Sequence, residues 1–239
     1  MILPLLTAAA AAVLAGYNTM APRSQLYGRT FIGGARGSRR LALTFDDGPN
    51  DPHTFELLDV LARHNVPATF FMIGRFVAQR PDIARAVADA GHAIGNHSYT
   101  HPNMIFCSSR RVRDEIARCE RSFDDAGVPH VRLFRPPYGG RTPGVLRTLR
   151  RMELEPVMWS LTGWDWKPKP PEQIAHGIVR QVRGGDVILL HDGGHQRFGM
   201  DRSATVHATD LLIRYYQNEQ YEFVTIPDMM AYSITAAAS

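Results

Sequence analysis

The alternation that begins at Leu41 constrains this chain more than any other feature. Short apolar runs take turns with segments whose apolar residues recur at helical spacing. Strands are expected at Leu41–Phe45, Ala68–Met72, Ala93–Gly95, Val131–Phe134, Pro156–Ser160, Asp186–Leu190 and Glu222–Ile226. Helices are expected at Thr54–His64, Pro81–Ala90, Ser109–Ala126, Pro143–Met152, Pro171–Val182 and Ala204–Asn218. Alternating strand and helix implies an α/β fold with a parallel sheet and helices outside it. About seven such units suggest a closed or nearly closed barrel. Polar residues at the C-terminal strand ends would then gather at one mouth.

What precedes the barrel reads differently. Ile2 to Gly16 is apolar, Ala-rich and uncharged. It is shorter than the roughly 20 residues a membrane span needs, but it has the length of a signal-peptide core. Val13-Leu14-Ala15 is an acceptable cleavage pattern, although no Lys or Arg leads the segment, and Tyr17 stands where a lipoprotein carries Cys. Residues 1–16 are therefore expected to be an export signal or anchor, and the protein to reach the periplasm, cell envelope or exterior. Any membrane attachment would run through that segment alone. Residues 17–39 read as a linker or arm, and residues 40–239 as one domain. A chain of 239 residues, 44% hydrophobic, has ample material for that core.

The net charge of +4 comes almost wholly from arginine, since Lys167 and Lys169 are the only lysines. Arginines cluster at Arg110–Arg113 and Arg147–Arg151, where helical patterning reads them as solvated faces and not as a nucleic-acid surface. On one helix Cys107 and Cys119 would stand about 18 Å apart. A disulfide needs Cα atoms within about 7 Å, so no bridge is expected.

Five stations of polar residues follow the expected strands. The first strand delivers Asp46-Asp47-Gly48-Pro49. Two adjacent carboxylates repel, so one calls for a cation while the other is left to move protons. The third strand delivers His97 and His101, four residues apart; in a helical turn both would face one metal. One Asp with two His makes a three-ligand set with open positions, suited to zinc and acceptable to other divalent ions. After the fourth strand come Arg135-Pro136-Pro137-Tyr138, where prolines stiffen the backbone, a guanidinium could orient a carboxylate, and N–H groups could face an oxyanion. After the fifth, Asp165 stands between Trp164 and Trp166, a candidate buried carboxylate in a wall suited to stacking sugars. After the sixth comes His191-Asp192-Gly193-Gly194-His195, in which His191 is placed as a general acid or base. His191 and His195 are a rival metal pair, but the two glycines oppose a helical turn there.

These stations, in this order, resemble the five motifs of the polysaccharide deacetylase family, the family-four carbohydrate esterases with a NodB-homology domain. Thr44–Pro49, His97–His101, Arg135–Tyr138, Asp165-Trp166 and Leu189–Asp192 are similar to motifs one to five. The resemblance covers about Arg40 to Met230. It implies a distorted (β/α) barrel of about seven parallel strands with outer helices, and a NodB-type catalytic domain over residues 40–239. It implies that Asp47, His97 and His101 hold a divalent metal, most often zinc, with cobalt or another transition metal as alternatives. Asp46 would be the general base, oriented by Arg135; the Tyr138 backbone N–H would bind the oxyanion; His191 would be the general acid, tethered by Asp165. The implied reaction removes N-acetyl groups from an N-acetylglucosamine-containing glycan such as peptidoglycan or chitin oligomers, releasing acetate. The motifs do not separate amide from ester, so an O-acetyl esterase acting on acetylated xylan and a non-catalytic glycan-binding domain are the alternatives. One departure stands out: Thr162 occupies a position, three before Asp165, where the fuller family pattern is acidic.

Overall fold

The computed structural model describes residues 13–238, so most of the expected export segment lies outside the described residues. Residues 13–20 form a helix, α1, and among the described residues no helix is long and apolar enough to cross a membrane.

The strands are β1 (Arg40–Asp46), β2 (Thr69–Met72), β3 (Ala93–Asn96), β4 (Leu133–Phe134), β5 (Glu155–Pro156), β6 (Leu161–Thr162), β7 (Asp186–His191) and β8 (Glu222–Phe223). Every pairing between them is parallel, in the order β5-β4-β3-β2-β1-β7-β6, with β8 added to the first residues of β1. The helices that alternate with them are α2 (His53–His64), α3 (Gly74–Gln79), α4 (Pro81–Asp89), α5 (Ser109–Asp125), α6 (Pro143–Arg151), α7 (Pro171–Val179), α8 (Ser203–Asn218) and α9 (Ile226–Ala238). The sheet curls into a distorted barrel, as the alternation predicts.

The fifth expected strand, Pro156–Ser160, is where the structure departs most. The chain there is two short strands at opposite ends of the sheet order. It pairs with β4 at Glu155–Pro156 and with β7 at Leu161–Thr162. Between them Val157 bridges Phe31, and the Met158 N–H donates to the Phe31 carbonyl. A change of partner within a few residues breaks the ladder, so one bent segment closes the barrel. Residues of the arm fill the seam: Phe31 also donates to Pro156, and Gly33 bridges Asp186 at the start of β7. The last expected strand is shorter than its apolar run, because from Ile226 the chain turns into α9. Helix α3 was not anticipated; its apolar residues Phe76 and Val77 are too few to show a period.

Strand periodicity decides which side chains enter the barrel. On β1, Leu41, Leu43 and Phe45 pack outward with Leu57 and Leu61 of α2. Ala42 packs inward with Phe71, Val157 and Val187, and Thr44 and Asp46 share its parity. On β7, Ile188 and Leu190 join the outer cluster, and Val187 lies inside on the parity that carries His191. The inner core is small and apolar at the bottom and polar at the top.

Candidate active site

Asp46 is the last residue of β1 and lies in register with Phe71 of β2 and His191 of β7. The parity that makes Leu133 inner and Phe134 outer sends the Arg135 side chain into the barrel, where it is fully buried. A guanidinium there must find acceptors for its donors. Nη1 donates to Asp46 Oδ1 at 2.7 Å and Thr44 Oγ1 at 2.8 Å, and Nη2 to the Met158 carbonyl at 3.1 Å. Its carbon lies 4.1 Å from the centroid of the Phe71 ring. Burial lowers the Arg135 pKa, and the charge of Asp46 opposes that.

Asp47 turns away from the strand with φ 71°. Its Oδ1 lies 3.2 Å from His101 Nε2 and 3.5 Å from His97 Nε2, is buried, and has no hydrogen-bond partner. Suitable ligand atoms of Asp47, His97 and His101 all lie within 4.8 Å of one another. His97 Nδ1 is 2.7 Å from the Arg135 carbonyl, an acceptor, so Nδ1 donates there and Nε2 is the nitrogen turned toward Asp47. Burial drives His101 down to about 3 against the pull of Asp47, so it is a neutral imidazole at neutral pH. Burial alone would raise Asp47, but His195 beside it and the surrounding histidine rings hold it well below the usual carboxylate range. One carboxylate, two imidazoles and an unsatisfied buried oxygen are the donor set a divalent metal requires.

The two histidines are not on a helical turn. β3 ends at Asn96, and both Ser98 (φ 67°) and His101 (φ 58°) are left-handed. Side chains hold that loop: Ser98 N–H donates to Asn96 Oδ1, and His101 N–H to Ser98 Oγ. Glu115 of α5 receives the Tyr99 and Thr100 N–H groups and the Thr100 hydroxyl. Glu115 was missed in the sequence; its signal was an acid beside Val112, Ile116 and Cys119 on the buried face of α5.

Asp165 is buried against His191. Its Oδ2 accepts from the His191 backbone N–H at 2.7 Å and from Thr205 Oγ1 at 3.0 Å, while Oδ1 is 3.0 Å from His191 Nδ1. Burial works against a charge on His191, yet Asp165, then Asp47 and Asp46, push it up to about 9. Thr162 accepts from the Trp164 N–H at 3.2 Å, so it closes the turn that presents Asp165.

The neighbouring Asp192 lies under the first station. Thr54 donates to its Oδ2 at 2.5 Å, and burial pushes the carboxyl up to about 7. A Cβ on Gly48 would strike this carboxyl group, and one on Gly193 would strike the Asp47 carbonyl. Asn50 joins the same loops by donating to the carbonyls of Asp192 and Met200 at 2.9 and 2.8 Å. His195 does not pair with His191 as a second metal site; its ring stacks on His101 at 4.5 Å, with Nδ1 3.6 Å from Asp47.

All of this opens into one cavity of about 800 Å³, whose lining includes Asp46, Asp47, His97, His101, Tyr138 and His191. Tyr138, at φ 58°, holds the turn after β4 over His101, with ring centroids 4.6 Å apart. Trp164 and Trp166 stand partly exposed at the rim, 4.9 Å from each other. The eight residues singled out in the sequence thus come together around one cavity.

The polysaccharide deacetylase family model matches residues 33–157. A chitooligosaccharide deacetylase of Bradyrhizobium sp. is 38% identical over 208 residues, covering 84% of this chain and 95% of its own. A peptidoglycan-N-acetylglucosamine deacetylase of Bacillus cereus is 34% identical, covering 80% and 88%. Among solved structures, a peptidoglycan N-acetylglucosamine deacetylase in complex with an N-oxidanyl-benzamide superposes with a TM-score of 0.78 at 32% identity, covering 84% of this chain and 92% of that one.

Proposed function

This chain belongs to the polysaccharide deacetylase family, and we propose that its eight clustered residues hydrolyse the N-acetyl group of an N-acetylglucosamine-containing glycan through a resident zinc ion. The observation that carries this reading is the division of labour between two adjacent carboxylates. Arg135 ties Asp46 into the barrel, while the neighbouring Asp47 faces the two imidazoles of His97 and His101 with a bare oxygen.

Asp47, His97 and His101 would hold the metal, which supplies Lewis acidity toward the acetyl carbonyl and toward water. Asp46 takes the proton of the attacking water; Arg135 on its Oδ1 fixes the carboxylate in place. The Tyr138 backbone N–H donates to the oxyanion. Protonated His191 passes its Nε2 proton to the departing amine while Asp165 holds Nδ1. The products are acetate and a free glucosamine-type residue. Peptidoglycan and chitin oligomers are the substrate candidates, each being what one of the relatives above is named for. The partly exposed indoles fit the apolar face of a pyranose. An envelope or extracellular location, reached through residues 1–16, suits a polymer substrate of that kind.

The test is acetate release from N-acetylated chitooligosaccharides, peptidoglycan fragments and acetylxylan, before and after chelation and again with zinc restored. Zinc-restored release from an amino-sugar substrate is expected. Release from acetylxylan alone would move the protein to the esterase reading. Stoichiometric metal without release from any of the three would move it to the binding reading.

A further inference from the structure

Arg141 is fully buried, as Arg135 is, yet among the described residues no carboxylate lies within ion-pair distance of it. Its donors are satisfied by backbone carbonyls from two separate parts of the chain. Nη1 donates to Gly139, in the turn that carries Tyr138, at 3.2 Å. Nη2 donates to Ala21 at 2.6 Å and Ser24 at 2.7 Å, both in the arm before the barrel. The Arg141 N–H donates to the Thr19 carbonyl at 3.1 Å. On the other side, Arg23 donates to the carbonyl of Ser160, between β5 and β6, at 3.0 Å. The arm is fastened to both flanks of the barrel seam, and Met20 and Pro22 are left lining the same cavity as Asp46, Tyr138 and Trp164. The match to the family model begins only at residue 33, after this wall.

We propose that residues 19–24 form a specificity-determining wall of the glycan cleft, with Met20 and Pro22 receiving the apolar face of a sugar unit next to the one deacetylated, and with Arg141 as the positioning residue that sets the wall against the Tyr138 turn. This rests on the deacetylase reading above. Pro22 is rigid and Met20 is an adaptable thioether that is 42% exposed. Together they extend the apolar surface begun by Trp164 and Trp166. Arg141 suits the task because its two terminal nitrogens, held apart in one rigid plane, reach the Gly139 carbonyl on one side and the carbonyls of the arm on the other, whereas an ammonium offers one flexible point. The wall begins after Ala15, so removal of the segment up to that point leaves Thr19, Ala21 and Ser24 in place.

The experiment compares zinc-loaded wild type with Met20→Ala, Met20→Trp, Arg141→Gln and Arg141→Lys on N-acetylated chitotetraose. It measures KM, kcat, bound zinc and Tm. We expect Met20→Ala and Arg141→Gln to raise KM at least fivefold with kcat within twofold and one zinc retained, and Arg141→Lys not to restore it. KM within twofold of wild type for both Met20 variants overturns the wall. Met20 is a partly exposed position, so this arm of the test stands even where an Arg141 variant fails to fold. A fall in kcat, zinc content and Tm together, with KM unmoved, overturns the positioning role of Arg141. A wild type inactive on every N-acetylated glycan overturns the deacetylase reading and this inference with it; an active wild type with unchanged Met20 variants overturns this inference alone.

Discussion

Asp46 and His191 stand in register on adjacent parallel strands, each the last residue of its strand and each on the inward parity. The proposed base and acid are therefore spaced by the β1–β7 ladder and not by loops. A slip of either strand by one residue would turn its own catalytic side chain outward, and the outer packing of Leu41, Leu43, Ile188 and Leu190 opposes such a slip.

Asp46→Asn and His191→Ala should each lower kcat for acetate release by about 10²–10⁴-fold, the usual worth of one positioned proton-transfer group. Zinc content should stay at one per chain, because neither residue belongs to the Asp47–His97–His101 set. His97→Ala should lose the metal as well as the activity. Full zinc occupancy with normal turnover in His97→Ala would refute the ligand assignment.

The pH dependence follows from Asp165. It is the chief influence that lifts His191 to about 9 against the opposing effect of burial. The acid donates only when protonated, so its working form is populated below that pH and lost above it. Activity should fall along an alkaline limb, drawn below 9 in the zinc-loaded enzyme by the nearby positive charge. Asp165→Asn removes the carboxylate charge and should move the limb to lower pH while lowering the neutral-pH rate. A pH–kcat profile with an unmoved limb would contradict the tether.

Arg135 is a stability element as well as an orienting one. Its ion pair with Asp46 is sealed inside the barrel, with side-chain exposures of 0% and 5%. Arg135→Met leaves a buried carboxylate without its cation, which costs about 3–5 kcal/mol. The double variant Arg135→Met with Asp46→Asn should recover part of that loss, because the stranded charge is gone. Urea unfolding at neutral pH measures both; equal stabilities of the two variants would show that the pair is not the source.

Much of this was legible in the sequence because it lies on strands. Alternation predicted the barrel, and the five stations fall where strands end, so Asp46, Asp47, His97, His101, Arg135, Tyr138, Asp165 and His191 could be singled out from local pattern. The supporting contacts were not legible, because they join residues far apart in the chain. Glu115 reaches the His97–His101 loop from α5, Thr205 reaches Asp165 from α8, and Arg141 reaches the arm across more than a hundred residues. The geometry at His97 and His101 was misread as a helical turn because four-residue spacing suits one. The left-handed residues Ser98 and His101 reach the same end by a loop that side chains hold.

Gly193 provides a test of that loop architecture. It is one of two glycines after the fifth motif, and its φ lies outside the left-handed region, so backbone conformation does not require glycine there. What requires it is proximity: the Asp47 carbonyl occupies the space a Cβ would need. Gly193→Ala must push the first station away from the fifth and so move Asp47 relative to His97 and His101. The fold should survive, since the barrel core lies below this contact, but zinc should bind about 10–100-fold more weakly, as when the supports of a metal ligand are disturbed. Competition with a chromogenic chelator measures that affinity, and high zinc should restore part of the lost kcat. Unchanged affinity in a folded Gly193→Ala variant would show that the loop yields without moving Asp47, and that the metal set is held by β1 and the His97–His101 loop alone.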